Sequence, residues 1–483
     1  MEQKVFAEKY LRQGIEFARQ GMLHQALALF EKILTVYPED SQVLFNTAVV
    51  LDQLGQREDA LTLLHRSIDA DPAFANPHYY LGSLYLQAQR YSEAYYAFRD
   101  AIARDVEFAP AYEGIRIASS AMGQFAMTDE ADIVFYTGGH QFHGRTIDEK
   151  GLGGSESALI YIARSLAASG NRVRVFCNCD QPGEYDGVRY DDLVDFHIYR
   201  NQYTLPVIIS SRSLRPFKLS MQSQVRILWI HDAVNVPFLK GEAPARMQMD
   251  RIFAISRWQR DEWSRYFGMP IERFFITRNG VDLTMFKPGE KRIRHRLIYL
   301  SRPDRGLGVL LELFPHIRQR VPDAELHIYS YQLPGDKLDD LMFQKTQQAG
   351  VYLHGSLPKS GLAAEMALAR LMVYPSTWPE TSCIAAIEAQ ASGTPVVAST
   401  PAALSETVHD GVSGCLIPGD PRTAEFGRRF IETVVALMND DGVWQKLSLG
   451  ARNRSELLYD WNSIAKDWTA ELERLIDMKK RGL

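Results

Sequence analysis

The sharpest chemical signal in the chain is a pair of glutamates, Glu380 and Glu388, in LMVYPSTWPETSCIAAIEAQASGTPVVAS. A β-rich run, Leu371–Tyr374, precedes them, and the segment from Glu380 to about Ala391 reads as a helix that Gly393 stops. Eight residues of helix would separate the two carboxylates by roughly 12 Å along the axis. A glycoside hydrolase holds its two carboxylates about 5–9.5 Å apart around one bond. The longer spacing suits an elongated ligand with hydroxyl groups towards both ends and a phosphate bridge between them. Thr381, Ser382 and Cys383 put backbone N–H groups at the helix start, where a phosphate is favoured. Arg302 and Arg305, in LSRPDRGLGVLLELF, follow another β-rich run, and two guanidiniums at a strand end can grip a diphosphate. Gly151, Gly153 and Gly154 open an amphipathic stretch, GLGGSESALIYIARSLAASG, where missing side chains let backbone approach a ligand. His231, in ILWIHDAVN, ends a further strand, with Asp232 beside it to orient the imidazole. Each feature has a plainer alternative: a surface arginine pair, a flexible glycine loop, a satisfied core histidine.

Other residues carry less. His140 and His143 are three apart but lack the third protein ligand that a catalytic zinc needs, so they read as an acceptor-side loop. Cys177 and Cys179 are too few for a zinc site. The helix start beside Cys383 would lower its thiol pKa, yet a catalytic thiol is not the expected role. RNGVD, around Asn279 and Asp282, is by itself a turn. No Asp-x-Asp metal motif ends a strand in the second half, and the expected metal set is empty.

These residues need elements to position them. Candidate strands are Asp132–Thr137, Arg172–Phe176, Pro206–Ser210, Arg226–Ile230, Arg251–Ile255 and Phe274–Thr277, then Arg296–Ser301, Glu325–Ser330, Val351–His354, Leu371–Tyr374, Pro395–Ser399 and Cys415–Ile417. Helical stretches alternate with them, which argues for parallel sheets covered by helices. Twelve strands are too many for one doubly wound sheet. Two Rossmann-like domains facing across a cleft fit better, with the break near Phe286–Arg292. Ligands then sit beyond the carboxyl ends of the strands, where the candidate residues fall.

The first quarter repeats every 34 residues: Gly14, Ala48 and Gly82; Ala26, Ala60 and Ala94; Phe30, Leu64 and Phe98; then Pro38 and Pro72, with Val106 in the third unit. Small residues let paired helices approach, the bulky residue fills the gap to the next pair, and proline ends the second helix. This pattern resembles the tetratricopeptide repeat, with three units and a capping helix near 109–124 forming an α solenoid. Such an array binds a peptide, a partner domain or a second copy of itself. Six tyrosines crowd the third unit (Tyr79, Tyr80, Tyr85, Tyr91, Tyr95, Tyr96), some for the core and some for a peptide groove.

Composition excludes other classes. The 483 residues imply two to four domains, and 46% hydrophobic residues suffice for full cores. A net charge of −5 argues against nucleic acid as partner. No apolar run approaches the ~18–20 residues of a membrane span. Four cysteines and the mixed-charge start MEQKVFAEKY argue for a reducing, cytoplasmic location.

From about Asp132 onward the motifs together, GLGGSE, ISRWQRDEW, RNGVD, SRPDRG, the paired glutamates and EAQASGTPVVAS, resemble a GT-B glycosyltransferase of the retaining family 4 type. The resemblance implies a solenoid at 1–124, an acceptor-side Rossmann-like domain at 125–286 and a nucleotide-sugar domain at 287–483, with the Trp461 and Trp468 segment returning to the junction. It implies no cofactor and no metal, and a UDP- or GDP-sugar as donor. Glu388 would take the ribose hydroxyls, Glu380 the sugar hydroxyls, and Arg302 and Arg305 the diphosphate, Arg305 standing where the family more often has lysine. His231 would lie close to the donor sugar. Gly153, Gly154, Thr381, Ser382 and Cys383 complete the donor set, with His231 and Glu380 as the catalytic pair. The array suggests a protein acceptor, or self-association. The alternatives are a lipid-linked or polysaccharide acceptor, for which Arg212, Arg215 and Lys218 hint at a membrane-facing patch, and a non-catalytic adaptor with a degenerate transferase domain.

Overall fold

The computed structural model of the chain describes residues 2–105, 108–122, 130–234, 248–330 and 340–482. Val106 and residues 123–124 of the repeat reading lie outside the described residues. The chain divides into two compact units, Met1–Glu130 with Val194–Gln202, and Ala131–Leu193 with Tyr203–Leu483.

The first unit is helical. Glu2–Arg19 pairs with Leu23–Val36, Ser41–Gln53 with Arg57–Ala70, and Ala75–Gln87 with Tyr91–Arg104, and Ala109–Ala121 closes the series. Gly21 and Gly55 turn the first two pairs at φ +77° and +82°, a region that costs a glycine nothing. The 34-residue slots are the packing contacts. Ala26, Ala60, Ala94, Phe30 and Leu64 are fully buried, and Phe98 nearly so. A Cβ on Gly14 would fall 2.4 Å from the Phe30 ring, and one on Gly82 2.8 Å from Phe98. Most of the crowded tyrosines are spent inside the array. Tyr79 packs on Phe98 and Phe108, Tyr80 donates its hydroxyl to Asp52 at 2.9 Å, and Tyr85 lies under Arg90; Tyr96 alone among the six is largely exposed.

One helix of this unit comes from an unexpected place. Residues 194–202 of the helix Leu193–Gln202 group with the array, although they lie in sequence between two strands of the first sheet. Ile198 is buried with Ala94, Phe98 and Ala118, and Arg99 pairs with Asp195 at 3.1 Å. The sequence boundary at 124/125 therefore does not hold for this segment.

The second unit contains two parallel sheets. The first has eight strands: β1 (Ile133–Thr137), β2 (Val173–Cys177), β3 (Gly183–Tyr185), β4 (Val188–Asp192), β5 (Leu205–Ser211), β6 (Ser223–Ile230), β7 (Arg251–Ala254) and β8 (Phe274–Ile276). Their order is β3-β4-β2-β1-β5-β6-β7-β8, parallel except at β3–β4. The second sheet has six: β9 (Arg296–Leu300), β10 (Glu325–Tyr329), β11 (Val351–Leu353), β12 (Leu371–Tyr374), β13 (Val396–Ser399) and β14 (Gly414–Ile417), all parallel in the order β11-β10-β9-β12-β13-β14. All twelve expected strands are present within three residues of their expected ends. The hairpin β3–β4 was not anticipated. Its turn is Asp186-Gly187 at φ +51° and +75°, the conformation that a two-residue Asp-Gly hairpin adopts.

The connection between the sheets is packed, not loose. Val281 and Phe286 are buried in the second core, and Arg292 donates to the carbonyls of Ala369 and Ser392. The last helix, Trp461–Lys480, returns to the first sheet. Trp468 is fully buried, edge-on to Trp229 and Phe253, and donates its indole N–H to Thr277 at 2.7 Å. A Cβ on Gly280 would meet Trp461 at 2.5 Å, so RNGVD is a turn that also seats the returning helix.

Candidate active site

The carboxyl ends of strands from both sheets face one cavity of about 720 Å³. His231 follows β6, Arg302 follows β9, and Glu380 stands in the loop after β12. All ten residues singled out above line this space: Gly153, Gly154, His231, Arg302, Arg305, Glu380, Thr381, Ser382, Cys383 and Glu388. Two helices, Gly154–Ala168 and Ile384–Ala391, begin at its wall, and neither N-cap residue makes a side-chain cap. A Cβ on Gly154 would come within 3.2 Å of Ile384, and one on Gly151 within 1.9 Å of the Ser356 hydroxyl. Glycines here allow the two halves to approach.

The helix that carries Glu388 is shorter than expected. It starts at Ile384, so Glu380 lies in the preceding loop and the helical-rise estimate does not apply to the pair. The reason is local. The Glu380 carbonyl accepts from the Ala403 N–H at 2.8 Å instead of continuing a helical ladder. Thr381 donates its hydroxyl to the His231 carbonyl at 2.7 Å, tying the loop to the other half of the unit.

Each carboxylate has a cationic neighbour. Glu380, 5% exposed, accepts from Arg305 Nη1 at 3.2 Å and from the Tyr374 hydroxyl. Arg305 also lies over the Trp378 ring, 5.4 Å from its centroid. Glu388, 3% exposed, accepts from Lys359 Nζ. Burial raises the Glu388 carboxyl above its ordinary range, and the Lys359 ammonium opposes that shift. Burial also pushes the Cys383 thiol far up, with the Glu380 charge adding to it. The expected lowering by the helix start is overturned, and Cys383 stays a neutral thiol. Gly306 ends the turn that carries Arg305, at φ +112°, where a Cβ would sit 2.3 Å from the Pro375 carbonyl oxygen. Gly306→Ala is expected to lower stability by about 1–3 kcal/mol, read as a shift in the urea midpoint.

His231 is 8% exposed, packs on Trp229 with centroids 4.2 Å apart, and has no hydrogen-bond partner for Nε2 among the described residues. Burial, then the Arg212 guanidinium, holds its pKa well below the ordinary value of 6.5. The ring is therefore neutral near pH 7. A buried ring nitrogen without a partner is costly unless a ligand satisfies it.

Four lining residues were not picked out as donor-site residues in the sequence. Arg212, at φ +56°, pairs with Asp232 at 2.6 Å and donates to Ser155 at 3.0 Å. It is thereby drawn into the cavity and removed from the basic surface patch suggested above. Glu156 is 3% exposed and accepts from Ser155. Asn279 of RNGVD is buried, with Oδ1 unpartnered among the described residues. Lys359, in SLPKS, carries no motif of its own; only its carboxylate partner reveals it. The two loop histidines separate: His140 lines the cavity, whereas His143 is buried, accepts from the Arg145 N–H and packs on Tyr185. Among the described residues no three His, Cys, Asp or Glu side chains converge as metal ligands, and no helix is long and apolar enough to cross a membrane.

Comparison with known proteins agrees with this layout. The signature described as "Glycosyl transferases group 1" matches residues 294–440, and that of the tetratricopeptide repeat matches 17–84. A D-inositol 3-phosphate glycosyltransferase from Catenulispora acidiphila is 31% identical over 334 residues, 62% of this chain and 73% of that protein. An α-(1→4)-mannosyltransferase from Mycolicibacterium hassiacum is 28% identical over 246 residues, 50% of this chain and 57% of its own length. A phosphatidyl-myo-inositol mannosyltransferase from Mycobacterium tuberculosis is 32% identical over 196 residues, 39% of this chain and 50% of its own length. The chain thus spans about half the length of these two mannosyltransferases. Among solved structures, a sucrose-phosphate synthase from Thermosynechococcus elongatus superposes with a TM-score of 0.59 at 18% identity, over 72% of this chain and 99% of that one. WaaG, a glycosyltransferase of lipopolysaccharide biosynthesis, superposes with a TM-score of 0.53 at 15% identity, over 69% and 98%. With two parallel sheets opening on one cavity and a relative matched over most of its length, the chain belongs to the group 1 glycosyltransferases of GT-B fold, here joined to tetratricopeptide repeats.

Proposed function

We propose that the chain is a retaining, metal-independent glycosyltransferase that moves a hexosyl or N-acetylhexosaminyl group from a UDP- or GDP-sugar to a hydroxyl. The observation that carries this reading is the meeting of Arg302, Arg305, Glu380 and Glu388 with two open helix starts at one cavity. A nucleoside diphosphate sugar asks for cations and N–H donors in its middle and for acceptors at its ribose and sugar ends. Glu388, paired with Lys359, serves the ribose end. Glu380 serves the sugar end. The glycosidic carbon–oxygen bond to the diphosphate breaks with its electron pair leaving on the phosphate oxygen. Arg302, Arg305 and the N–H groups of 381–385 receive that charge without a divalent ion. Retention follows when the acceptor hydroxyl enters from the face the diphosphate vacates, its proton passing to the departing phosphate. Neutral His231 offers its unpartnered nitrogen to a sugar hydroxyl and serves as a positioning contact. The relatives' names support hexosyl transfer.

Because His231 is neutral from pH 6.5 upward, kcat/KM should show no histidine limb between about pH 6.5 and 8. Below that range the unfolded chain takes up a proton that the folded ring refuses, so stability falls as pH falls. His231→Ala should lose turnover by about tenfold or more, measured as initial rates at saturating donor, with unchanged pH dependence.

A thermal-shift series with UDP-, GDP- and ADP-sugars tests the donor directly, since a bound ligand raises the melting temperature by mass action. No shift with any of them would remove the enzyme reading in favour of an adaptor. Product anomers read by NMR decide retention. For the acceptor we favour a protein held by the array. The second reading, a lipid or glycan acceptor, is supported by the phosphatidylinositol and inositol-phosphate names of the relatives. Removing residues 1–124 would strip Ile198 and Asp195 of their packing, so the test keeps the full chain. Tyr96→Ser should slow transfer to a polypeptide and leave donor hydrolysis intact. An unchanged polypeptide rate together with faster transfer to a lipid-linked glycan would reverse the choice.

A further inference from the structure

A second cavity, of about 410 Å³, lies between the two halves of the larger unit and shares only Ser382 with the donor set. Arg257 and Arg278, which follow β7 and β8, line it from one side; Arg454, His409 and Glu406 line it from the other. Glu406 is the one carboxylate in this lining, and it is already engaged. Its two oxygens accept from the backbone N–H groups of Arg257 and Trp258 at 2.9 and 2.7 Å, capping the helix Arg257–Phe267. No carboxylate among the described residues forms an ion pair with Arg257, Arg278 or Arg454. Arg454 donates to the Glu406 carbonyl at 2.8 Å, while its Nε is buried with no partner among the described residues. Three guanidiniums thus border a space whose single negative charge is spent on a helix start.

We propose that this cavity is an anion site for a phosphate group, separate from the donor cavity and filled by inorganic phosphate or by a phosphate monoester. A tetrahedral anion with several acceptor oxygens matches guanidinium forks arriving from different sides. The volume exceeds that of phosphate alone and leaves room for a small organic group. The site also has a mechanical consequence. Ser382 lines both cavities, and the arginines come from both halves. An anion that holds Arg257 and Arg278 against Arg454 fixes the halves beside the loop that carries Thr381 and Glu380. Occupancy therefore changes donor affinity, and the donor changes phosphate affinity by the same factor.

The test is calorimetric titration of the full chain with inorganic phosphate and with glycerol 3-phosphate, ionic strength held constant with sodium chloride. It is run with and without saturating UDP or GDP, whichever nucleotide binds. Saturable binding of one equivalent is expected, retained when the nucleotide is bound. Arg257 is exposed and Arg278 half-buried, so R257Q/R278Q should fold normally, checked by its melting temperature, and should weaken phosphate by at least about tenfold. R305Q should leave phosphate binding unchanged. Tighter binding of glycerol 3-phosphate assigns the site to a monoester, and equal binding assigns it to free phosphate. Absence of saturable binding, displacement by the nucleotide, or undiminished affinity in R257Q/R278Q would overturn the proposal. The nucleotide-free titration reads the site even if no nucleotide sugar is a substrate.

Discussion

Arg305→Gln is expected to lower kcat by about 10²–10³-fold, the cost of removing one preorganised group from a position where charge develops. The residue is held in place before any ligand arrives. Its guanidinium donates to Glu380 at 3.2 Å and lies over Trp378, and its backbone ends a short turn locked by Gly306. A group fixed in this way needs no reorganisation when the diphosphate departs. Its contribution should therefore be larger for the departing diphosphate than for the intact donor, and kcat should fall more than KM rises. Glutamine keeps length and polarity but has no charge. Lysine, which the family resemblance puts at this position, keeps the charge and gives up the fork. Arg305→Lys should therefore stay within about tenfold of the wild-type rate. Equal losses in both variants would mean that the fork and not the charge is used. A wild-type rate in Arg305→Gln would remove Arg305 from the reaction. Glu380→Ala belongs to the same series, because it removes the carboxylate that accepts from both Arg305 and the buried Tyr374 hydroxyl.

Hydrophobic periodicity and strand-end motifs carried much of this architecture. Leu297–Leu300 of β9, Leu371–Tyr374 of β12 and Val396–Ala398 of β13 are short, continuous apolar runs bounded by turns, which is how a sheet covered on both faces is written. The 34-residue slots were equally readable because each corresponds to a contact, such as Phe30 over Gly14. The helix at 193–202 was not legible. Its sequence, LVDFHIYRNQ, has a weak amphipathic pattern, and its partners Ala94, Phe98 and Arg99 lie about a hundred positions away, so only tertiary packing explains it. The late start of the Ile384 helix was hidden for a related reason: the hydrogen bonds that hold Glu380 and Thr381 in a loop come from Ala403 and His231. Lys359 and Arg212 illustrate the limit for sites. A lysine in a polar loop and an arginine after a strand look like surface, and only the carboxylates folded against them, Glu388 and Asp232, show otherwise.

Glu388 gives the second large effect, and it divides into two measurable parts. Glu388→Ala should cost about 3–5 kcal/mol of stability, because it leaves the Lys359 ammonium, whose side chain is 11% exposed, in a buried site with no counter-charge. The loss is read from urea unfolding without nucleotide. That variant alone cannot report on donor binding, since instability and lost contacts both lower affinity. Glu388→Gln separates the two. The amide oxygen still accepts from Lys359, but a hydrogen bond between a charged acceptor and the ribose is worth about 1.5–3 kcal/mol, so nucleotide affinity should fall roughly ten- to hundredfold. The double replacement Lys359→Met with Glu388→Leu completes the set. Exchanging a buried ion pair for apolar groups of similar volume is often neutral or stabilising, so the protein should unfold at or above the wild-type midpoint while nucleotide binding is lost. A stable double variant that still binds the nucleotide with wild-type affinity would show that the pair is structural and that the ribose is held elsewhere in the cavity.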